Sequence, residues 1–295
     1  MLLFYCALRA SMCCRIESGA QICNLARSGM NITAHSRTVP LVEHLDIAEI
    51  ISALDPGYWR VHHFNFIDST QSSLVVAVTE GRATAGDVYL AEFQSAGRGR
   101  LNRSFASEPG VGVLLSAVIA PEIQDENRWG WVPLIAGVAA CAAVLQTTGI
   151  TLSLKWPNDL MIDGFKAGGI LAEKVGEQIV LGIGINCLQA ADSLPVPGAT
   201  SLRLHTSEAV NRSALVAAFL NSLKRFLGEW DEKPFAVENR YRHLCSTLEE
   251  EVKISLPNGT EVLGRAAAIS VEGALVLTDG STFVSADVTH LRLRK

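Results

Sequence analysis

The stretch Gln94-Ser95-Ala96-Gly97-Arg98-Gly99-Arg100-Leu101-Asn102-Arg103 places three arginines and two glycines directly after a strand-like run at residues 88–93. Glycine lets a loop take backbone angles that other residues avoid, and it lets a ligand approach the main chain. Arginine presents a rigid fork of donors that suits a carboxylate or a phosphate. The pattern indicates either a flexible lid over an anionic small molecule or a solvated surface loop, and this stretch alone leaves both open.

Further motifs occur on both sides of this arginine loop. They are Asp68-Ser69-Thr70, Lys155-Trp156-Pro157-Asn158-Asp159, Lys166-Ala167-Gly168-Gly169-Ile170-Leu171-Ala172-Glu173 and Gly182-Ile183-Gly184-Ile185-Asn186. With Gln94, this ordered set closely resembles the biotin–protein ligases, the enzymes that attach biotin to a lysine of a carrier domain. The resemblance runs from roughly residue 56 to the C-terminus.

The apolar spacing predicts an α+β protein with a mainly antiparallel sheet flanked by helices. Helices are expected at 42–54, 129–148, 211–230 and 234–244, and strands at 61–66, 111–120, 151–155 and 178–186. A hairpin is expected to pair 160–162 with 169–173 around Asp163-Gly164. This pairing would put Lys166 opposite Gly168-Gly169. The resemblance implies the class II synthetase-like biotin/lipoate ligase fold.

From about residue 251 the chain shows short alternating strands with Asn-Gly and Asp-Gly turns, which predict a small β-barrel. The resemblance implies an SH3-like barrel there. We therefore expect a catalytic domain at 41–247 and an SH3-like domain at 248–295. Residues 1–40 are expected to be a poorly ordered extension. It would be a targeting segment, a tail, or upstream sequence before a true start at Met30, and we favour the last.

Composition excludes several classes of protein. Of the 295 residues, 48% are hydrophobic and 19% are charged, and the net charge of -5 argues against general nucleic-acid binding. The apolar run at 132–145 is too short and too rich in alanine to span a bilayer, so a buried core helix is expected. Cysteines are scattered beyond residue 23, without metal-ligand spacing. We therefore expect a reducing cytoplasm, no dedicated metal site, no membrane and no nucleic-acid partner.

The resemblance implies a reaction in two steps. The carboxylate of biotin attacks the α-phosphate of ATP to give biotinyl-5′-AMP and pyrophosphate, and a lysine of a biotin carboxyl carrier domain then displaces AMP. Mg²⁺ is expected to accompany ATP, bound mainly by phosphate oxygens and water. Because arginine stays charged at any working pH, it suits the joining of two anions.

Roles for individual residues also follow from the resemblance. The catalytic residues implied are Lys166, Arg100 and Asp159. Biotin would contact Ser69, Thr70, Gln71, Gln94, Gly97, Arg98, Gly99, Arg100, Lys166, Gly168 and Gly169. ATP would contact Arg98, Arg100, Arg103, Asn158, Lys166 and Asn186.

Each of these residues also has an ordinary structural interpretation. The Asp68-Ser69-Thr70 motif is typical of a helix N-cap, and Asp68 and Gln71 have the spacing of a capping box. Asn158-Asp159 is typical of a turn. A lone lysine in a hairpin, such as Lys166, is normally solvated, and only its motif favours a catalytic role.

One segment departs from the family pattern Gly-Arg-Gly-Arg-x-Gly-Arg-x-Trp. Asn102 stands where the third glycine is expected, and Phe105 where the tryptophan is expected. Asparagine tolerates left-handed backbone angles better than most residues. Phenylalanine keeps an aromatic face but loses the indole N–H donor. These changes put the closed shape of the loop in question, and with it nucleotide affinity.

Four other functions are alternatives to a biotin ligase. A lipoate or octanoate ligase usually shows an Arg-Arg-x-Ser-Gly-Gly-Gly loop, which this chain lacks. A biotin-sensing repressor needs a helix-turn-helix before the ligase core, and the first 55 residues show no basic recognition helix. A regulatory binder of biotinyl-adenylate also remains an alternative. A Rossmann dehydrogenase is excluded because Gly182-x-Gly184 lacks the third glycine and the helix.

Overall fold

The structure is a computed structural model, and it describes residues 44–123, 125–194 and 196–291. The expectation for the extension at 1–40 lies outside these residues. The helix predicted for 42–54 begins only at Ile47, because Asp46 caps it, so the predicted start was too early.

The helices agree with the apolar spacing, with one exception. They are α1 (Ile47–Ala53), α2 (Thr70–Thr79), α3 (Trp131–Thr148), α4 (Arg212–Glu232) and α5 (Pro234–Leu244). Only the N-terminal cap of α2 was predicted. Its second half reads Val75-Val76-Ala77-Val78-Thr79, and β-branched residues favour strands, so periodicity did not identify this helix.

The large sheet has seven strands. They are β1 (Arg60–Phe64), β2 (Asp87–Ala91), β3 (Gly112–Ile119), β4 (Ser153–Lys155), β5 (Asp159–Ile162), β6 (Phe165–Val175) and β7 (Gln178–Asn186). Their order is β1-β2-β3-β7-β6-β5-β4. The β1–β2 pair is parallel and the other pairs are antiparallel. The mainly antiparallel α+β prediction is confirmed.

The predicted hairpin forms, but its register was wrong. Asp163 and Gly164 have φ angles of 49° and 83°, which suits a two-residue turn with both central residues at positive φ. Such a tight turn pairs Ile162 with Phe165, so β6 begins four residues before the predicted strand. Lys166 therefore lies on the same strand as Gly168-Gly169, not opposite them.

A second, smaller sheet follows along the chain. It contains β8 (Glu251–Ser255), β9 (Glu261–Ile269), β10 (Leu275–Leu277), β11 (Thr282–Phe283) and β12 (Asp287–His290). The order is β11-β10-β9-β8-β12 with antiparallel pairing, which is consistent with an SH3-like fold. Strand β12 was not predicted, because Val288 is its only aliphatic residue. The domain boundary near residue 247 stays a prediction.

The two faces of the large sheet carry different layers. Helix α3 packs against strands β4, β5 and β6 on one face and also contacts α4 and α5, whereas α2 packs against β3 and β7. Leu181, Ile183 and Ile185 of β7 join the main core with α3. The intervening Gly182 and Gly184 point to the opposite face, because side chains alternate along a strand. That opposite face holds the candidate site.

Helix α3 also has the length and composition of a membrane span. The stretch 126–148 passes such a test, but 67% of its window is buried inside the protein. The expectation of a buried core helix is confirmed.

A buried ion pair joins three parts of the fold. Arg212, at the start of α4, donates to the carboxylate of Glu92 at 2.9 Å and to the carbonyl of Gly112 at 3.1 Å. The N–H of Leu45 donates to the other oxygen of Glu92 at 2.6 Å. Burial alone would raise the pKa of Glu92, but this N–H and the charge of Arg212 bring the pKa below its ordinary value.

We expect Glu92→Gln to lower the free energy of unfolding by about 3–5 kcal/mol, because the buried guanidinium of Arg212 loses its carboxylate. Urea unfolding at neutral pH measures this change. Glu261→Gln, in an exposed pair with Lys253, is the control and should cost less than about 1 kcal/mol.

The pKa of Glu92 is lowered in the folded state, so its contribution is present above the pKa of the unfolded chain and is lost as the pH falls through the lowered pKa. The difference between wild type and Glu92→Gln should therefore shrink in acid. An equal cost for the two variants would contradict this role.

Candidate functional site

A cavity of about 560 Å³ lies on the sheet face opposite α3. Its floor includes Gly168 and Gly169 of β6 and Gly182 and Gly184 of β7. A Cβ atom at Gly182 would meet the side-chain oxygen of Gln71 at 2.6 Å, and one at Gly184 would meet the ring of Phe105, so side chains do not fit there. At Gly169 the nearest groups, on Lys166 and Asn158, are 3.5 Å or more away. The arginine loop, the Trp156-Pro157 turn and the small sheet form its walls.

Most of the residues that the sequence predicted for the site line this cavity. They are Thr70, Gln71, Gln94, Arg98, Gly99, Arg100, Arg103, Asn158, Asp159, Lys166, Gly168, Gly169 and Asn186. Ser69 and Gly97 are not among the lining residues.

Ser69 is the N-cap of α2, and its hydroxyl accepts a hydrogen bond from the N–H of Ser72 at 3.3 Å. The predicted cap is confirmed, but the predicted capping box was wrong. Asp68 instead accepts from the hydroxyl of Ser95 at 3.1 Å. The side chain of Gln71 donates to the carbonyl of Val180 at 3.0 Å, away from the helix N-terminus.

Four polar side chains form a buried cluster at one end of the cavity. The Thr70 hydroxyl contacts the Gln94 side-chain oxygen at 3.0 Å and the Ser116 hydroxyl at 2.9 Å. Ser116 in turn donates to the side-chain oxygen of Gln71 at 3.1 Å. Residues 46 and 45 positions apart therefore hold one another in fixed orientations. Such a cluster suits a small polar ring with both donors and acceptors.

The arginine loop folds as a short hairpin of its own. Phe105 N–H donates to the carbonyl of Gly97 at 2.8 Å, and Gly99 N–H donates to the carbonyl of Arg103 at 2.7 Å. A 3-10 turn, Arg100–Asn102, closes the tip. The residue in the left-handed region is Leu101, with φ of 54° and ψ of 41°. The turn therefore forms with asparagine at position 102. The residue with the strained backbone is Leu101 and not Asn102.

The aromatic ring of Phe105 lies directly over β7. A Cβ atom at Gly184 would come within 2.5 Å of the ring carbon Cζ, so only a bare backbone fits beneath the ring. This contact anchors the C-terminal side of the loop against the sheet.

Glu173 holds Arg98 and the polar cluster together. Its carboxylate accepts two hydrogen bonds from the guanidinium of Arg98, at 3.0 and 3.1 Å, and a third from Gln71 at 2.9 Å. Glu173 belongs to the Lys166 motif, but no role was predicted for it. Its signal was the alternation along β6, which puts Glu173 on the same face as Gly169.

The other two arginines of the loop reach the small sheet. Arg100 donates to the side-chain oxygen of Asn158 at 3.1 Å and to the hydroxyl of Ser285 at 2.6 Å. Arg103 forms an ion pair with Asp287. Burial lowers the pKa of Arg100, and the nearby carboxylates of Asp287 and Asp159 oppose this shift. Sequence reasoning missed Ser285 and Asp287 because β12 and its approach were not recognised.

Lys166 forms an ion pair with Asp159. Its main chain is held by the neighbouring segment, since its N–H donates to the carbonyl of Gly198 and its carbonyl accepts from Thr200 N–H, both at 2.8 Å. The amide of Asn186 donates to the carbonyl of Thr200 at 3.0 Å. The hairpin lysine is therefore a fixed wall of the cavity and not a freely solvated side chain.

The site is rich in cations and poor in metal ligands. Among the residues that the structure describes, no three His, Cys, Asp or Glu side chains converge as a metal site. The carboxylates that line the cavity, Asp159 and Asp287, are ion-paired with Lys166 and Arg103. The arrangement can bring two anions together beside a polar pocket, with backbone groups of glycine within reach.

Comparison with known proteins agrees with this geometry. Residues 63–189 match the Biotin/lipoate A/B protein ligase family. A biotin--[acetyl-CoA-carboxylase] ligase of Mycobacterium tuberculosis is 30% identical over 267 residues, which is 88% of this chain and 100% of that protein. The bifunctional ligase/repressor BirA of Escherichia coli is 29% identical over 80% of this chain and 74% of its own length.

Solved structures show the same fold. The biotin protein ligase of Aquifex aeolicus, in complex with biotin and ATP, superposes with a TM-score of 0.68. It is 26% identical and covers 79% of this chain and 99% of its own. The chain therefore belongs to the biotin protein ligase family.

Proposed function

We propose that this protein is an ATP-dependent biotin–protein ligase that makes biotinyl-5′-AMP and then transfers biotin to a lysine of a carrier domain. One observation carries the proposal: the cations of the arginine loop and Lys166 line the same cavity as the buried amide–hydroxyl cluster. The cluster suits the polar ring of biotin, and the cations suit its carboxylate and the phosphates of ATP. A lipoate ring, which is apolar, has no N–H or carbonyl group with which to hydrogen-bond to this cluster.

In the first step, an oxygen of the biotin carboxylate attacks the α-phosphorus, and the bond from that phosphorus to the bridging oxygen of pyrophosphate breaks. Two anions must approach each other, and negative charge builds on the α-phosphate. We assign Arg100 and Lys166 to neutralise this charge, because fixed donors in a dry site stabilise developing charge strongly. Arg98 binds the carboxylate end, and Arg103 binds the nucleotide phosphates.

Both steps require the cations to exchange partners. In the structure, Arg98, Arg103 and Lys166 are paired with Glu173, Asp287 and Asp159, respectively. Ligand phosphates and carboxylate compete with these protein carboxylates. The protein partners hold the cations near the cavity before the ligands bind, which reduces the ordering that binding must supply.

In the second step, the amine of the carrier lysine attacks the carbonyl carbon of the mixed anhydride, and AMP leaves with the bonding electrons. The amine must lose a proton to act as a nucleophile. We assign Asp159 to orient the amine or accept this proton. Lys166 then stabilises the charge on the departing phosphate, and Asn158 and Asn186 contact the nucleotide.

Mg²⁺ would enter with ATP. Since Asp159 and Asp287, the carboxylates that line the cavity, are already paired, phosphate oxygens and water would supply most of its ligands. When bound, the ion would neutralise phosphate charge.

The partner of this reaction is the biotin carboxyl carrier domain of a carboxylase, which presents the acceptor lysine. We also propose a cytoplasmic location. The free, buried thiols of Cys141, Cys187 and Cys245 support a reducing compartment.

The function is tested by incubating the purified protein with ATP, Mg²⁺, labelled biotin and a biotin carboxyl carrier domain. With ATP, Mg²⁺ and biotin but no carrier, we expect release of pyrophosphate. When the carrier is added, we expect label on its lysine. Lipoate in place of biotin is the control and should give neither product. Transfer of lipoate but not of biotin would overturn the assignment.

Two substitutions test the catalytic cations. Lys166→Ala and Arg100→Ala should each lower the rate of biotinylation by about 10²-fold or more, because each removes charge stabilisation of the transition state. Lys174→Ala is the matched control, since this exposed lysine of β6 pairs with Glu126. Circular dichroism should show all three variants folded. Wild-type rates of biotinylation in both site variants would contradict the catalytic roles assigned to Lys166 and Arg100.

The contact of Phe105 with β7 can be tested by adding one methyl group. Gly184→Ala should disfavour the closed loop by about 1–3 kcal/mol, because its Cβ overlaps the ring. The KM for biotin should rise accordingly. The double variant Gly184→Ala/Phe105→Ala should recover part of this loss, and Gly228→Ala, with open space around its Cβ, should be neutral. A normal KM in Gly184→Ala would show that the contact between Phe105 and β7 does not support biotin binding.

A further inference from the structure

Lys155 is a cation of the site that has no assigned role. It ends β4, lines the cavity and is half-buried. The other lining cations each have protein partners, as described above. Among the residues that the structure describes, no side-chain hydrogen bond and no ion pair within 4 Å involves the ammonium of Lys155.

The position of Lys155 follows from the register of the sheet. Lys155 pairs with Asp159, Asp159 with Gly169, and Gly169 with Gly184. Residues paired in this way project from the same face of a sheet. The row therefore runs across the floor of the cavity, from the position beneath Phe105 to the outer strand β4.

Along this row the polar and charged groups have a definite order. The Phe105 ring covers Gly184 at the inner end, next to the buried polar cluster. Lys166 lies over the middle, with its Nζ 3.5 Å from the Cβ position of Gly169. Lys155 is at the outer end. A ligand whose ring occupies the cluster and whose acyl-phosphate centre meets Lys166 would put its next group beside Lys155.

The electrostatics at the outer end favour an anion there. Burial lowers the pKa of Lys155, and the charge of Lys166 lowers it further, while Asp159 and Asp287 raise it. A half-buried ammonium without a close partner loses hydration and gains little in return. An anionic group bound beside it would remove this cost, whereas an adenine ring would not.

We propose that Lys155 binds the β- and γ-phosphates of ATP and neutralises the pyrophosphate as it leaves. This inference rests on the proposed function. In the first step the bond between the α-phosphorus and the bridging oxygen breaks, and its electron pair stays on the pyrophosphate oxygen. The added negative charge develops at the outer end of the row, where Lys155 contacts it. Lys155 takes no part in the transfer from biotinyl-5′-AMP, since pyrophosphate has then gone.

The test compares Lys155→Met, which keeps the aliphatic stem, with Lys155→Arg, which keeps the charge, and with Lys174→Met as the surface control. Three rates are measured: pyrophosphate release from ATP and biotin, ATP formation from biotinyl-5′-AMP and added inorganic pyrophosphate, and transfer from purified biotinyl-5′-AMP to a carrier domain. Melting temperatures without ligand are measured in parallel.

We expect Lys155→Met to lower kcat/KM for ATP and for pyrophosphate by about 10²-fold, because a charge contact made in the transition state is lost. Transfer from biotinyl-5′-AMP should stay within about threefold of wild type. Lys155→Arg should recover most of the loss, and Lys174→Met should match wild type. The melting temperature of Lys155→Met should not fall, because an unpaired charge is removed.

Three outcomes would overturn the inference. The first is an unchanged kcat/KM for ATP and pyrophosphate in Lys155→Met. The second is an equal loss of transfer from biotinyl-5′-AMP, and the third is a lower melting temperature, since either of these would indicate a structural role. If wild type and Lys174→Met also release no pyrophosphate with biotin, the proposed function itself fails.

Discussion

The alternation of side chains along the central strands is the constraint on which the site depends. In β7, Leu181, Ile183 and Ile185 point into the core with α3, and Gly182 and Gly184 point into the cavity. A shift of one residue in the pairing with β6 would bury the glycines and expose the aliphatic residues. The packing of the core therefore also fixes which positions without side chains face the cavity.

Much of the fold could be predicted from the sequence because its signals are local. The β5–β6 hairpin follows from Asp163-Gly164, and α5 follows from its apolar spacing. The register of that hairpin was missed, because a short aliphatic run does not show where pairing begins. The body of helix α2 beyond its predicted N-cap, and the whole of strand β12, were also missed, since tertiary pairing outweighs their weak local preference.

The residues of the candidate site were likewise predicted only in part. Residues carried by motifs, such as Lys166 and Arg100, line the cavity as expected. The partners that hold them, Glu173, Ser285 and Asp287, depend on contacts between distant segments. Arg100 and Ser285 are 185 positions apart, and no local sequence pattern predicts a contact over that separation. Sequence reasoning therefore found the groups proposed to act on the ligand more readily than the groups that position them.

The backbone of the arginine loop affects the fraction of molecules in which the loop is closed. Leu101 adopts a left-handed conformation that costs an L-amino acid with a side chain roughly 1–2 kcal/mol. Any opening that lets this residue relax recovers that energy, so the occluded state is about 5- to 30-fold less populated than it would be with glycine at the tip. In the proposed reaction, a single tip residue would therefore shift the equilibrium between a loop that shields the mixed anhydride from water and one that admits the acceptor.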